Sequence, residues 1–310
     1  MQKKILLAVD HTRPSKNAMA YAVELASRTS DLYFVLFHVQ PIISSFLQQE
    51  ARRSAKAKRQ LTSLLERNEQ AAGRLLESYR QDMIGKGIPT ERITSITRKR
   101  DLGFAKDIME LGLNGQYDAI VVGRRGLSRL AEMYAGSVTS DILEQSQVIP
   151  VWLVDGKVPA GEILVAVDGS EASLRAVDHV GFMLSNGPDI KLTLLNVTGN
   201  AQKYHDGSLP EEVNAELEEI LARGEKIRIE QFFAHAREKL TNAGLAGEQI
   251  RLESIKGRRR VGKAILDFAR QGAFGTIVVG RRGIDTSFFM GSVSRHLINK
   301  LAQRALWMVP

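Results

Sequence analysis

The sequence predicts an α/β protein in which one doubly wound, five-stranded parallel sheet (Rossmann-like) is built twice in tandem. Two observations predict it. Short apolar runs rich in Val, Ile and Leu alternate with longer stretches of helical spacing, and the whole alternation recurs in the second half of the chain. Strands alternating with helices mean βαβ units, a parallel sheet and right-handed crossovers. Near-continuous apolar runs suit parallel strands covered on both faces.

The recurrence is explicit. Ile5-Leu-Leu-Ala-Val-Asp10 returns as Ile163-Leu-Val-Ala-Val-Asp168, and Leu36-Phe-His-Val39 as Leu194-Leu-Asn-Val197. Ala119-Ile-Val-Val-Gly-Arg-Arg-Gly126 returns as Thr276-Ile-Val-Val-Gly-Arg-Arg-Gly283. Gly136-Ser-Val-Thr139 becomes Gly291-Ser-Val-Ser294, and Trp152 answers to Trp307. The offset runs from 158 through 157 to 155, the drift that small deletions inside a duplicated unit produce.

In the first copy the strands are expected at Ile5–Val9, Leu32–Val39, Ile93–Thr97, Ala119–Val122 and Val148–Val154. Helical spacing covers Ser15–Arg28, Phe46–Met83, Leu102–Leu113 and Val138–Gln145. The second copy places strands at Ile163–Val167, Leu192–Val197, Arg251–Ser254, Thr276–Val279 and Ala305–Val309. Domains of 1–156 and 157–310 follow, with Asp155–Gly161 as the linker. Halves of this size bury a core unaided. The stretches Ser44–Asp82 and Tyr204–Asn242 are long for connections between strands. The first opens basic (Arg52, Arg53, Lys56, Lys58, Arg59) and the second acidic (Glu211, Glu212, Glu216, Glu218, Glu219). Two readings stand: solvated helix faces, or segments that attract each other across domains or subunits.

Composition narrows the function. With no cysteine in 310 residues, disulfides, cysteine-ligated zinc and thiol catalysis are excluded. The opening apolar run is too short for a signal-peptide core and nothing approaches a membrane span, so a cytoplasmic protein without membrane contact is expected. The net charge of +8 is spread evenly: residues 1–156 hold 22 Lys+Arg against 17 Asp+Glu, and the remainder 21 against 18. No basic stripe marks a specific nucleic-acid partner; anionic small molecules are an equal destination for the charge.

The chemistry gathers where strands end. In open parallel sheets, ligands bind beyond the carboxyl ends of the strands, where the strand order reverses. There each copy has an aspartate (Asp10, Asp168), a Gly-Arg-Arg-Gly turn (Gly123–Gly126, Gly280–Gly283) and a Gly-Ser pair opening a helix (Gly136-Ser137, Gly291-Ser292). Glycine lets main-chain N–H groups converge on an oxyanion, and a helix N-terminus adds unpaired donors. Ser137, Thr139, Ser292 and Ser294 supply hydroxyl donors, and an aspartate accepts from ribose hydroxyls or a base amine.

The Val-Asp strand end and the spacing Gly-x2-Gly-x9-Gly-Ser, over Gly123, Gly126, Gly136 and Ser137, resemble the universal stress protein family across the whole chain, as two tandem domains. The resemblance implies a five-stranded fold of order 3-2-1-4-5 and ATP as ligand, with or without Mg2+. It places Asp10 and the Val39 main chain at the nucleoside, and Gly123, Arg124, Gly126, Gly136, Ser137, Val138 and Thr139 at the phosphates. Second-domain counterparts are Asp168, Val197, Gly280, Gly283, Gly291, Ser292 and Ser294. It also implies domains packed as a pseudo-symmetric pair through Val151–Val154 and Leu306–Val309, with homo-oligomers and a regulatory protein partner as further associations. Two departures stand out. Seven residues, not nine, separate Gly283 from Gly291, and His11-Thr12-Arg13 stands where the second copy has Gly169-Ser170-Glu171. The first site is therefore expected to be the dependable one.

Other motifs fail on inspection. Gly257–Lys263 nearly spells a P-loop, but Ala264 stands where the Mg2+-binding hydroxyl belongs. The six histidines show no metal-ligand spacing, and there is no Gly-x-Ser-x-Gly elbow. The expected function is a nucleotide-binding stress or regulatory protein with slow or no turnover and no catalytic residue. The alternatives are an ATPase or phosphotransferase in the same pocket, and a sensor of AMP or a cyclic nucleotide.

Overall fold

The computed structural model describes residues 2–124, 148–198, 211–256, 260–281 and 291–310. The chain divides into two compact units, the first up to Asp155 and the second from Gly156, with Arg28–Ser30 grouped with the second. Unit 1 runs β1 (Lys3–Ala8), α1 (Arg13–Ala26), β2 (Leu32–Gln40), α2 (Ser45–Arg53), α3 (Ala55–Ile84), β3 (Ile93–Lys99), α4 (Phe104–Asn114), β4 (Ala119–Gly123) and β5 (Val151–Val154). Its sheet has the order β3-β2-β1-β4-β5, every pair parallel. Unit 2 runs β6 (Glu162–Val167), α5 (Glu171–Leu184), β7 (Lys191–Thr198), α6 (Glu211–Asn242), β8 (Ile250–Lys256), α7 (Val261–Gln271), β9 (Thr276–Gly280), α8 (Ser292–Lys300) and β10 (Ala305–Val309). The order within it is β8-β7-β6-β9-β10, again all parallel. Both are the expected 3-2-1-4-5 arrangement.

The central strands carry the apolar runs because both their faces are covered. Ile5, Leu6 and Leu7 in β1, and Ile163, Leu164 and Val165 in β6, are fully buried. The outer strands β3 and β8 each bury only their first residue and carry exposed charges such as Arg98, Lys99 and Lys256, which discourage edge-to-edge pairing.

The long connections resolve into helices that dock by only part of their length. In α3 the buried residues are Ala72, Leu75, Leu76, Tyr79 and Met83, while α2 buries none. In α6 the core residues are Ile229, Phe233, Ala236 and Leu240, one face of a helix at spacings of three and four. The two helices end alike. Ile88 N–H donates to Met83 O and Leu245 N–H to Leu240 O, both at 3.1 Å, after Gly87 and Gly244 with φ of +93° and +97°. The register between α3 and α6 is therefore a constant 157, pairing Ala71 with Arg228, Ala72 with Ile229 and Tyr79 with Ala236.

Element ends shift by one to three residues from expectation, and two differences have a visible cause. Phe46–Met83 is two helices rather than one, because Ser54 turns extended (φ −128°, ψ 123°) and its hydroxyl accepts from Ala57 N–H, capping α3. The strand expected from Val148 begins at Val151: Pro150 has no N–H to give the ladder, although its carbonyl accepts from Ile120 N–H at 2.9 Å. The helix expected at Val138–Gln145 lies outside the described residues.

Candidate functional site

In unit 1 the strand order reverses between β1 and β4, and the residues past β1 fold back to build a rim. Asp10 N–H donates to Ser15 Oγ at 3.0 Å, and Asp10 Oδ1 accepts from the N–H and hydroxyl of Thr12. The Asp10 carbonyl accepts from the Tyr79 hydroxyl of α3 at 2.8 Å. Burial, with the nearby Asp10 and Asp82 charges, pushes the Tyr79 pKa up, so the phenol stays a donor. Next to it, His38 Nδ1 lies 2.9 Å from Val9 O. A carbonyl only accepts, so Nδ1 carries a proton, and in the neutral ring Nε2 is then an acceptor.

Beside this rim lies a cavity of about 260 Å³. Phe37, Ala72, Phe104, Ile108 and Val122 give it apolar walls, and Asp10, His11, Thr12, Ser15, His38 and Asn68 supply its polar groups. Arg100 stacks on Phe104 with its guanidinium carbon 4.5 Å from the ring centre. Val39 lies just beyond the last rung between β1 and β2, where Val9 N–H meets Phe37 O at 2.8 Å. By the alternation of a parallel ladder its peptide groups point the same way as those of Phe37, with no strand opposite them.

At the end of β4, Gly123 is required by close approach. A Cβ there would sit 2.3 Å from the carbonyl carbon and oxygen of Pro14, in the first turn of α1. The next residue is held by main chain and charge: Arg124 N–H donates to Val154 O at 2.8 Å, and its guanidinium lies 3.8 Å from the Asp155 carboxylate. That bridge turns Arg124 toward Asp155.

Unit 2 repeats the frame and changes the filling. Asp168 N–H donates to Ser173 Oγ at 3.0 Å, and its Oδ1 accepts from Ser170 N–H and from the Ser173 hydroxyl. Asn196 stands in place of His38 and donates Nδ2 to Val167 O at 3.0 Å. Gly280 packs as Gly123 does, a Cβ there falling 2.8 Å from the Ala172 carbonyl. The Asp168 carbonyl, however, accepts from Arg228 Nη1 at 2.8 Å. Ser294 is buried and donates to Gly280 O (3.2 Å) or Arg281 O (3.4 Å), while Ser292, in the first turn of α8, is exposed. In this arrangement the Ser294 proton is committed to main-chain carbonyls.

The universal stress protein family model matches residues 1–155 and again 160–309. The chain belongs to the universal stress protein family. A universal stress protein of Mycolicibacterium smegmatis is 27% identical over 97% of this chain and 94% of its own length. A universal stress protein of Synechocystis is 27% identical over 46% of this chain and 92% of its own length. Among solved structures, a universal stress protein from Archaeoglobus fulgidus superposes with a TM-score of 0.65 at 18% identity, covering 99% of this chain and 97% of that one.

In this universal stress protein the structure gathers Asp10, Val39 and Gly123 around one cavity. Asp168 and Gly280 take matching places in unit 2, with Val197 in β7. Gly126, Gly136, Ser137, Val138, Thr139 and Gly283 lie outside the described residues. The apolar walls from α3 and α4 carry no sequence signal of their own; they show only once helix register is known. The P-loop look-alike has another explanation: a Cβ on Gly262 would fall 2.9 Å from the His296 ring, so that glycine lets α7 pack on α8. No helix among the described residues is long and apolar enough to cross a membrane.

Proposed function

We propose that this universal stress protein binds an adenine nucleotide, ATP foremost, in the unit 1 cavity, and that occupancy regulates a stress-response role with slow or no turnover. The observation that carries the reading is the apolar cavity at the β1/β4 reversal point, with a carboxylate and strand-end peptide groups on its rim. A base fits between Phe37, Ala72, Phe104 and Ile108, with His38 and the Val39 main chain reading its polar edge. Asp10 accepts from ribose hydroxyls, since a carboxylate engaged by Thr12 retains further lone pairs. Phosphates then lie past Gly123, and the loop spacing in the sequence assigns their contacts to Gly126, Gly136, Ser137, Val138 and Thr139. Among the described residues lining the cavity, Asp10 is the acidic one, and phosphoryl transfer also needs a group that orients the nucleophile. This favours binding over turnover.

Mass spectrometry of nucleotide released from the purified chain, with its molar ratio to protein, tests the reading directly. Titration with ATP should give micromolar or tighter binding that Asp10→Ala weakens by roughly tenfold or more, the worth of a charge-assisted hydrogen bond. Multiple turnovers per minute, lost on changing Gly136 and Ser137, would instead establish an ATPase.

A further inference from the structure

Several positions around the cavity differ between the units, and three differences bear on one aspartate carbonyl. Where unit 1 has Ala71 on α3, unit 2 has Arg228 on α6, in the register fixed by the matching helix ends. Arg228 reaches across the end of β6 to donate to Asp168 O at 2.8 Å. Gly169 leaves room for this reach: a Cβ there would fall 2.5 Å from Arg228 Nη1 and make the guanidinium shift, and Gly169 also holds a φ of +78°. The unit 1 counterpart of Gly169 is His11, which has a Cβ, and opposite it stands the small Ala71 on the cavity wall. The third difference balances a hydrogen bond. In unit 1 the aspartate carbonyl is satisfied from further along the helix by Tyr79; in unit 2 that position is Ala236, and the arginine takes over. Ala72, another wall residue, is likewise replaced by the larger Ile229.

We propose that Arg228 fills in unit 2 the cleft that stays open in unit 1, so that the chain holds one nucleotide rather than two. The inference rests on the nucleotide reading and deepens it by assigning the nucleotide to unit 1 and a built-in cationic plug to unit 2. An arginine makes a suitable plug. Its long stem suits an apolar wall, and its guanidinium supplies a donor to the Asp168 carbonyl.

The test exchanges the devices between units in the whole chain and counts equivalents bound, by calorimetric titration with ATP and separately with AMP. The wild-type chain should bind one equivalent. Arg228→Ala combined with Ala236→Tyr rebuilds the unit 1 arrangement, keeps a donor for the Asp168 carbonyl, and should raise the count to two. His11→Gly combined with Ala71→Arg installs the unit 2 glycine and arginine, with Tyr79 kept, and should abolish binding, with circular dichroism unchanged. Should that second pair fail to fold, the first carries the test alone. Two equivalents on the wild-type chain would overturn the plug while leaving the nucleotide reading intact. So would a folded Arg228→Ala/Ala236→Tyr chain that still binds one, or a folded His11→Gly/Ala71→Arg chain that still binds. A wild-type chain that binds neither nucleotide overturns both.

Discussion

At Gly123 and Gly280 the reason for the residue is distance. Each ends the fourth strand of its unit where the first helix begins, and at each a methyl group would overlap a main-chain carbonyl, at 2.3 Å from Pro14 and 2.8 Å from Ala172. Main chain cannot step aside as a flexible side chain can, so Gly123→Ala should cost about 1–3 kcal/mol, the usual penalty of overpacking. Urea unfolding monitored by circular dichroism would read it as a lower midpoint at unchanged slope. His179 offers a second check on packing. Its ring meets Trp307 edge-on at 5.8 Å, and burial pushes its pKa down to about 3. The unfolded chain takes up a proton near pH 6.5 that the folded chain refuses, so stability at this residue is full above that pH and falls as pH drops toward 3. His179→Leu should therefore lose less stability than the wild-type chain between pH 7 and pH 5, and equal losses would remove the account. The glycines were legible as motif; the histidine was not, because nothing in Asp178-His179-Val180 says that a helix face will press it onto β10.

Among the elements, every expected strand is present with ends shifted by up to three residues, because most are apolar runs bounded by Asp, Gly or Pro that leave few choices of register. The long helical segments were legible as helix and illegible as packing. Periodicity marks an apolar face, but where the face starts to dock depends on the strand beneath it. So the break at Ser54 and the pairing of Ala71 with Arg228 emerge only in three dimensions. Loop anchors behave the same way. Asp107, in the first turn of α4, is buried, and its carboxylate accepts from the N–H groups of Asp101 and Leu102 at 3.1 and 2.9 Å. That ties down the loop leading to Phe104 and the cavity wall. Asp107→Ala strands two donors and should destabilise unit 1 by about 2–4 kcal/mol while weakening ATP binding several-fold. The unit 2 counterpart, Ala264, has no such carboxylate, and changing it to Ser should leave both readouts where they were.

For the molecule as a whole, duplication accounts for two matching strand-end frames, while the shorter second loop already set the first site apart as the dependable one. A repeated frame keeps strand ends and glycines, since every packed carbonyl depends on them. The wall residues of a cleft are held only by what fills it, so one copy can exchange an open space for an arginine at small cost to its fold. The consequence is an asymmetric response. A bound ligand slows local opening of the segments it touches. Saturating ATP should therefore slow amide hydrogen exchange across residues 8–15, 37–39, 68–72 and 104–108 of the intact chain. The counterparts 166–173, 195–197, 225–229 and 261–265 should exchange as before. In the Arg228→Ala/Ala236→Tyr chain both sets should become protected. Equal protection of both sets in the wild-type chain would overturn the plug.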